Sequence, residues 1–378
     1  MKDKIQKILL VIFPFVLPLP IPEIYCSICL ALFLVGLFFD FNFSFKSIKM
    51  NYFLLFSLLF FFADTIGNLL RFDFSTLFFK DTKLSFLIIP LLFLGKSNLL
   101  KKNSLLICNA FVFGSLSYVL YAWGYIADFY LITAPDYRTF SLTDGYIVYQ
   151  LYNYLPGAIH HTYIGIYIVF SILILLNHIK QNRPRKYLNL VMIMILGFSL
   201  FYIGGKGSFL LLFLLVFLYL ISLRKVVINI LFVLSFFGGL YLVKRWVVGI
   251  RLENSISVRL DYYKCGWEIL KENWFAGIGA KNFSEISALI CNNDVFIPHN
   301  IYLRVFVANG ILGLIILLGL IFVIAKDAFR KKDWVYISLI IMLILGGLTE
   351  DLIYRQQGVL FFIFFISLFY MSNKQSKV

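Results

Sequence analysis

The chain has 378 residues, of which 61% are hydrophobic and only 14% charged, with a mean hydropathy of +0.89. Soluble domains sit nearer about 45–50% apolar, and apolar runs of roughly 20 residues recur from end to end, so a soluble globular protein is excluded, as is a β-barrel, whose short strands alternate with period two. The net charge of +15 does not mark a nucleic-acid binder, because most of the Lys and Arg fall in short clusters between apolar runs, as membrane topology demands.

The sequence therefore predicts an all-α, polytopic integral membrane protein with about 12 transmembrane helices and both ends inside. The lysines of 1–7 hold the start in the cytoplasm. Predicted helix one runs from about Ile8 to the prolines at 18, 20 and 22, and no cleavable leader is read there. Helix two covers about Ile24–Phe39, helix three about Tyr52–Leu70 and helix four about Leu84–Leu94, with Pro90 inside it. Helix five, about Leu105–Ala127, leads to a Tyr-rich outer loop at 128–160. Helices six (Tyr163–Leu176), seven (Leu188–Ile203), eight (Phe209–Leu223) and nine (Val226–Val243) follow. The large outer loop at 244–298 precedes helix ten, which begins after His299 and ends at Lys326. Helices eleven (Trp334–Leu348) and twelve (Leu352–Met371) close a single membrane domain spanning 1–378.

The polar features converge on the outer side. His299 stands where the large loop enters helix ten, and reads either as a capping or packing residue or as a base. Gly310 and Gly313, about three turns below it, read as packing glycines facing another helix. Within the large loop, Leu260, Tyr263, Trp267 and Leu270 recur at helical spacing, which predicts an amphipathic interfacial helix. Arg259 opens it, either as a snorkelling surface residue or as an anion ligand. Lys206, flanked by Gly204, Gly205 and Gly207, is either a solvated turn lysine or part of an anion site. Asp64 lies inside helix three, where a carboxylate is costly and points to function. His160 and His161 end the smaller loop, which also holds Arg138. Glu350, Asp351 and Arg355, at the outer end of helices eleven and twelve, either orient the site or, as the simpler reading, form an exposed charge cluster. Cys26 and Cys29 form no metal pattern, and Cys265 and Cys291, which share the outer loop, read as free thiols, with a disulfide in an oxidising compartment as the alternative.

His299-Asn300, nine residues, Gly310, two residues and Gly313 resemble the signature of the O-antigen ligases, whose Wzy_C-type membrane domain is shared with some O-antigen polymerases. Arg259 with its amphipathic helix and the Gly277-Ile278-Gly279 turn add to the likeness, which covers about residues 155–370. The resemblance implies a fold like the C superfamily of membrane glycosyltransferases. It also implies transfer of a glycan from undecaprenyl pyrophosphate to the lipid A-core in the periplasmic leaflet of the bacterial inner membrane, with inversion and with neither metal nor nucleotide cofactor. The family histidine falls on His299, and family arginines fall on Arg259 and on Lys206, where Lys keeps the charge but loses bidentate phosphate binding. Arg138 joins them at the pyrophosphate, with Asn300, Asp64, His161, Gly310 and Gly313 in support. A polymerase using the same donor is the nearest rival, and a lipid-linked glycan flippase or transporter is the rival of another class.

Overall fold

The computed structural model describes residues 2–38, 51–70, 84–133, 146–203, 205–222, 252–279, 283–291 and 298–372. All regular structure among them is helical. In chain order the helices are α1 (Lys2–Val16), α2 (Glu23–Phe38), α3 (Tyr52–Phe61), α4 (Ala63–Leu70), α5 (Leu84–Gly95) and α6 (Ser97–Asp128), which ends in a π-helical turn at Phe129–Thr133. They continue as α7 (Tyr146–Asn153), α8 (His161–Lys180), α9 (Lys186–Ile203), α10 (Lys206–Ser222), α11 (Leu252–Asn273), α12 (Phe283–Cys291), α13 (Ile301–Lys331), α14 (Trp334–Gly346) and α15 (Gln356–Ser372). Among the described residues, four helical stretches are long and apolar enough to cross a membrane: Ser97–Ile132, His161–Lys180, Lys186–Ile203 and Ile301–Lys331. Shorter apolar helices accompany them, and the chain is a multi-pass membrane protein. Predicted helix nine lies outside the described residues.

The chain divides into two compact units. The first comprises Met1–Phe41 with Asn103–Ile250. Its centre is α8, whose residues from Tyr163 to Leu175 are all buried. Phe111 of α6 meets Tyr167 and Phe170 edge-on, at 5.6 and 5.7 Å, and Ser171 donates to Ser115 at 2.9 Å between the same helices. Such a hydrogen bond removes two hydroxyls from an apolar interior where neither finds water. Trp123 of α6 donates to Ser199 of α9 at 2.9 Å. At the crossing of α1 on α6, a Cβ on Gly114 would run into the Phe15 carbonyl, so that approach needs glycine.

The second unit comprises Asn42–Lys102 with Arg251–Val378. Here α13 is the axis. Phe56 of α3 lies against Gly319, Phe53 stacks on Tyr370 at 4.5 Å, and Phe93 meets Phe364 at 5.4 Å. At the C-terminal end of α13, Lys331 pairs with Asp327 and donates to the Phe369 and Tyr370 carbonyls at 3.1 and 2.7 Å. It thereby satisfies the C-terminal carbonyls of α15. Two expectations are corrected in this unit. Predicted helix three is interrupted at Phe62, so Asp64 stands in the first turn of α4 rather than deep in a continuous helix. The helix expected in the large loop is present as α11, and a second helix, α12, follows it. The apolar stripe expected on α11 is also divided: Leu270 is buried while Leu260 and Trp267 are exposed.

Candidate functional site

The entry to α13 is built from its own residues. His299 adopts a left-handed backbone (φ 46), a region where His is tolerated better than most side chains. That turn lets Asn300 extend (φ −156) and cap the helix, its Oδ1 accepting from Tyr302 N and Leu303 N, both at 3.0 Å. The turn after α14 closes around this cap. Gly347 O accepts from Ile301 N at 2.8 Å, Leu348 O accepts from Asn300 Nδ2 at 3.3 Å and from the Tyr263 hydroxyl at 3.2 Å, and Asp351 Oδ1 accepts from Asn300 N at 3.1 Å.

Two carboxylates expected at the surface are buried by that closure. Glu350 is 3% exposed and Asp351 is buried with it, while Arg355 is exposed. The correction follows from partners 51 and 47 residues away in sequence. Glu350 Oε1 lies 3.1 Å from His299 Nδ1, and Asp351 Oδ2 accepts from Arg304 at 2.9 Å. The Arg304 guanidinium also sits over the Tyr354 ring at 4.2 Å and the Phe283 ring at 5.2 Å. Burial pushes the Asp351 carboxyl above its ordinary range, and Arg304 beside it pulls the other way. If Glu350 is ionised it can only accept, which puts the shared proton on Nδ1 and leaves the lone pair on His299 Nε2. The His299 side chain remains 25% exposed. A buried carboxylate behind one nitrogen of a partly exposed imidazole is a geometry that could serve a general base.

α11 supplies the neighbouring wall. Tyr262 approaches the His299 ring at 6.3 Å between centroids, and Gly266 lies against Leu303. Arg259, half-buried, precedes Tyr262 and Tyr263 by one turn on the same face of the helix. Beyond Asn273 the chain turns and bonds to α13: Ile278 N donates to Val307 O, Gly279 N to Ala308 O, and Ile311 N to Trp274 O, each at 2.9 Å. This clip explains the glycines. Gly310 (φ 65, ψ −166) breaks α13, and a Cβ there would strike the Phe275 carbonyl; Gly277 (φ 69) faces it. At Gly313 a Cβ would strike Asn309 across the break. Gly310 and Gly313 thus serve a broken helix and its clip, and the expectation of a helix packed against them is corrected.

In the first unit, His161 opens α8, stacks on Tyr152 at 4.7 Å and lies 4.2 Å from the His160 ring. Its carbonyl accepts from Gly205 N at 3.3 Å, which brings the start of α10, and so the Lys206 backbone, to His161. The side chains of Asp64, Lys206 and Cys291 and the whole of Arg138 lie outside the described residues. Cys265 is disulfide-bonded, which corrects the expectation of a free thiol, whereas Cys26 and Cys29 are free thiols. Arg304 and Tyr262 are the site residues that sequence reasoning did not place, and Glu350 was read chiefly as a surface charge. Their nearest signal was the Glu-Asp pair at the outer end of a predicted helix.

Residues 161–318 match the family model described as O-antigen ligase (Wzy_C). The match takes in His161, Lys206, Arg259, His299, Asn300, Gly310 and Gly313, and stops short of Asp64, Arg138, Glu350 and Asp351. No curated protein matches the chain.

Proposed function

From a chain whose residues 161–318 match the O-antigen ligase family model, we propose that this protein transfers a glycan from undecaprenyl pyrophosphate to the lipid A-core oligosaccharide at the periplasmic face of the bacterial inner membrane. The observation that carries the reading is the His299–Glu350 pair at the entry to α13, 3.1 Å apart. The acceptor hydroxyl oxygen attacks the anomeric carbon as its proton passes to His299 Nε2. The bond from that carbon to the pyrophosphate oxygen breaks, and its electron pair leaves on undecaprenyl pyrophosphate. Attack opposite the leaving group inverts the centre. Arg259, Lys206 and Arg138 neutralise the charge that grows on the pyrophosphate, so cations of the chain take the part of a metal ion. Asn300, Gly310 and Gly313 hold the entry to α13, while His161 and Asp64 act in support. The Cys265 disulfide agrees with an oxidising compartment for this face.

The test is complementation in a strain deleted for the gene, with lipopolysaccharide run beside lipid-linked glycan. A deletion that leaves long polymer on the carrier and bare core, restored by wild type but not by His299→Ala, supports ligation. Core bearing a single repeat unit makes the protein a polymerase. Repeat units that never reach the periplasm return the transport reading.

A further inference from the structure

α11 has two apolar sides. One, with Gly266, Ile269 and Leu270, packs on α13 and forms a cluster with Ile278, Phe283, Val307 and Ala308. The other is open. Leu260, Lys264, Trp267 and Lys271 follow one another at helical spacing, and Trp274 and Phe275 continue the line into the turn. Trp267 is 61% and Trp274 55% exposed, and Leu260 and Phe275 are exposed with them. Lys264 and Lys271 stand between the apolar residues, paired along the helix with Asp261 at 3.7 Å and Glu268 at 2.7 Å. Aromatic rings interleaved with long, solvated and mutually neutralised charges suit the boundary between acyl chains and headgroups.

The backbone sets the height of this face. The bond from Ile311 N to Trp274 O, with the two others of the clip, holds the turn to α13 at Val307–Ile311. Just beyond the break, α13 opens a lipid-like side at Ile315, Leu318 and Phe322, the last 66% exposed. From Ile311 to Lys331 the helix is about 31 Å long at ~1.5 Å per residue, close to the roughly 30 Å of a bilayer core. Trp274 and Phe275 therefore stand at the outer limit of the stretch that meets lipid.

We propose that the open face of α11 and its following turn seat in the outer interface of the bilayer, with phospholipid headgroups as their partner and no requirement for anionic lipid. This rests on the membrane-protein reading alone and not on the transfer reaction. Its consequence is a fixed height for His299: the helix that carries Trp267 also carries Tyr262, 6.3 Å from the His299 ring.

The experiment uses the full chain in nanodiscs of phosphatidylcholine brominated either near the headgroup or near the chain end. Tryptophan fluorescence of wild type is compared with that of Trp267→Phe/Trp274→Phe, and the difference isolates the two indoles; the single variants serve if the double variant does not elute as wild type does. The difference signal should fall by about half with shallow bromine and by clearly less with deep bromine or aqueous iodide, as interfacial indoles do. Quenching by iodide with no response to either brominated lipid would place the face in water and overturn the proposal. So would a response to deep bromine above shallow, or an emission shift on adding soluble oligosaccharide without bromine quenching, which would make the face a sugar platform.

Discussion

One oxygen of Glu350 lies 3.1 Å from Nδ1 of His299 and accepts from the backbone N–H of Asp351 at 3.2 Å. The second bond holds the carboxylate in place, so the first orients the imidazole. Loss of a general base costs about 10²- to 10⁴-fold, and His299→Ala should fall in that range in a transfer assay with purified protein. Glu350→Gln keeps an acceptor for Nδ1 but loses the charge that stabilises an imidazolium; a fall of about 10- to 100-fold in kcat is expected, with KM for the donor little changed. Residues acting as a unit are not additive, so the double variant should be no slower than His299→Ala alone. Additive losses would show that Glu350 acts elsewhere.

A second prediction concerns Arg304 and Asp351. Burial raises the Asp351 carboxyl, Glu350 adds to the rise, and Arg304 and His299 oppose it. A carboxyl whose folded pKa lies above its unfolded value near 3.8 binds its proton more tightly when folded. Its contribution to stability is therefore full below the unfolded value and is lost as pH rises through the folded one. Arg304→Met removes the main opposing charge and widens that window upward. The variant should be less stable than wild type by about 1–3 kcal/mol at neutral pH, since Arg304 is partly exposed. The gap in thermal midpoint, measured in detergent, should narrow as pH falls from neutral toward 4. A gap that stays constant would mean that Asp351 is not ionised against Arg304.

Much of this was legible in the sequence because membrane helices announce themselves by apolar length, and Asn300 by standing between a loop and such a run. The His299–Glu350 pair was not, since it joins residues 51 apart and depends on how the turn after α14 folds over the α13 cap. Glu350 and Asp351 looked like surface charges because charge alone carries no information on burial. The break at Gly310 was hidden for another reason. Apolar residues run on either side of it without a change of pattern, and a positive φ leaves no mark except the glycine itself. The signal lay in two glycines considered separately, Gly277 and Gly310, which meet across the clip.

The clip yields a third prediction. Gly310→Ala places a Cβ at φ 65 and into the Phe275 carbonyl. Left-handed strain alone costs about 1–3 kcal/mol, and the backbone contact adds to it. The variant should lose several degrees of thermal midpoint or fail to accumulate. Gly197, in α9, has nothing within 4 Å of an added Cβ. Gly197→Ala should leave the midpoint unchanged or raise it slightly, because alanine is favoured over glycine by roughly 0.5–1 kcal/mol in a helix. Equal effects at the two positions would mean that the Gly310 break is not required.

The last prediction separates the two readings of the cations. If Arg259 and Lys206 neutralise a leaving pyrophosphate, their charge matters more as the bond breaks than when the donor binds. Removing one such group typically costs about 10²- to 10³-fold in kcat, with a smaller rise in KM, and Arg259→Ala and Lys206→Ala should both behave so. Lys206→Arg should retain most activity, because it keeps the charge and adds a fork suited to phosphate oxygens. The position tolerates this on backbone grounds, since Lys206 opens α10 beside Gly205, whose N–H is held by the His161 carbonyl. Arg259 shares a helix face with Tyr262 and Tyr263, so Arg259→Lys should keep the fold and isolate the loss of bidentate contact. A Lys206→Ala variant with wild-type kcat and KM would make that residue a solvated turn lysine and leave Arg259 to carry the charge.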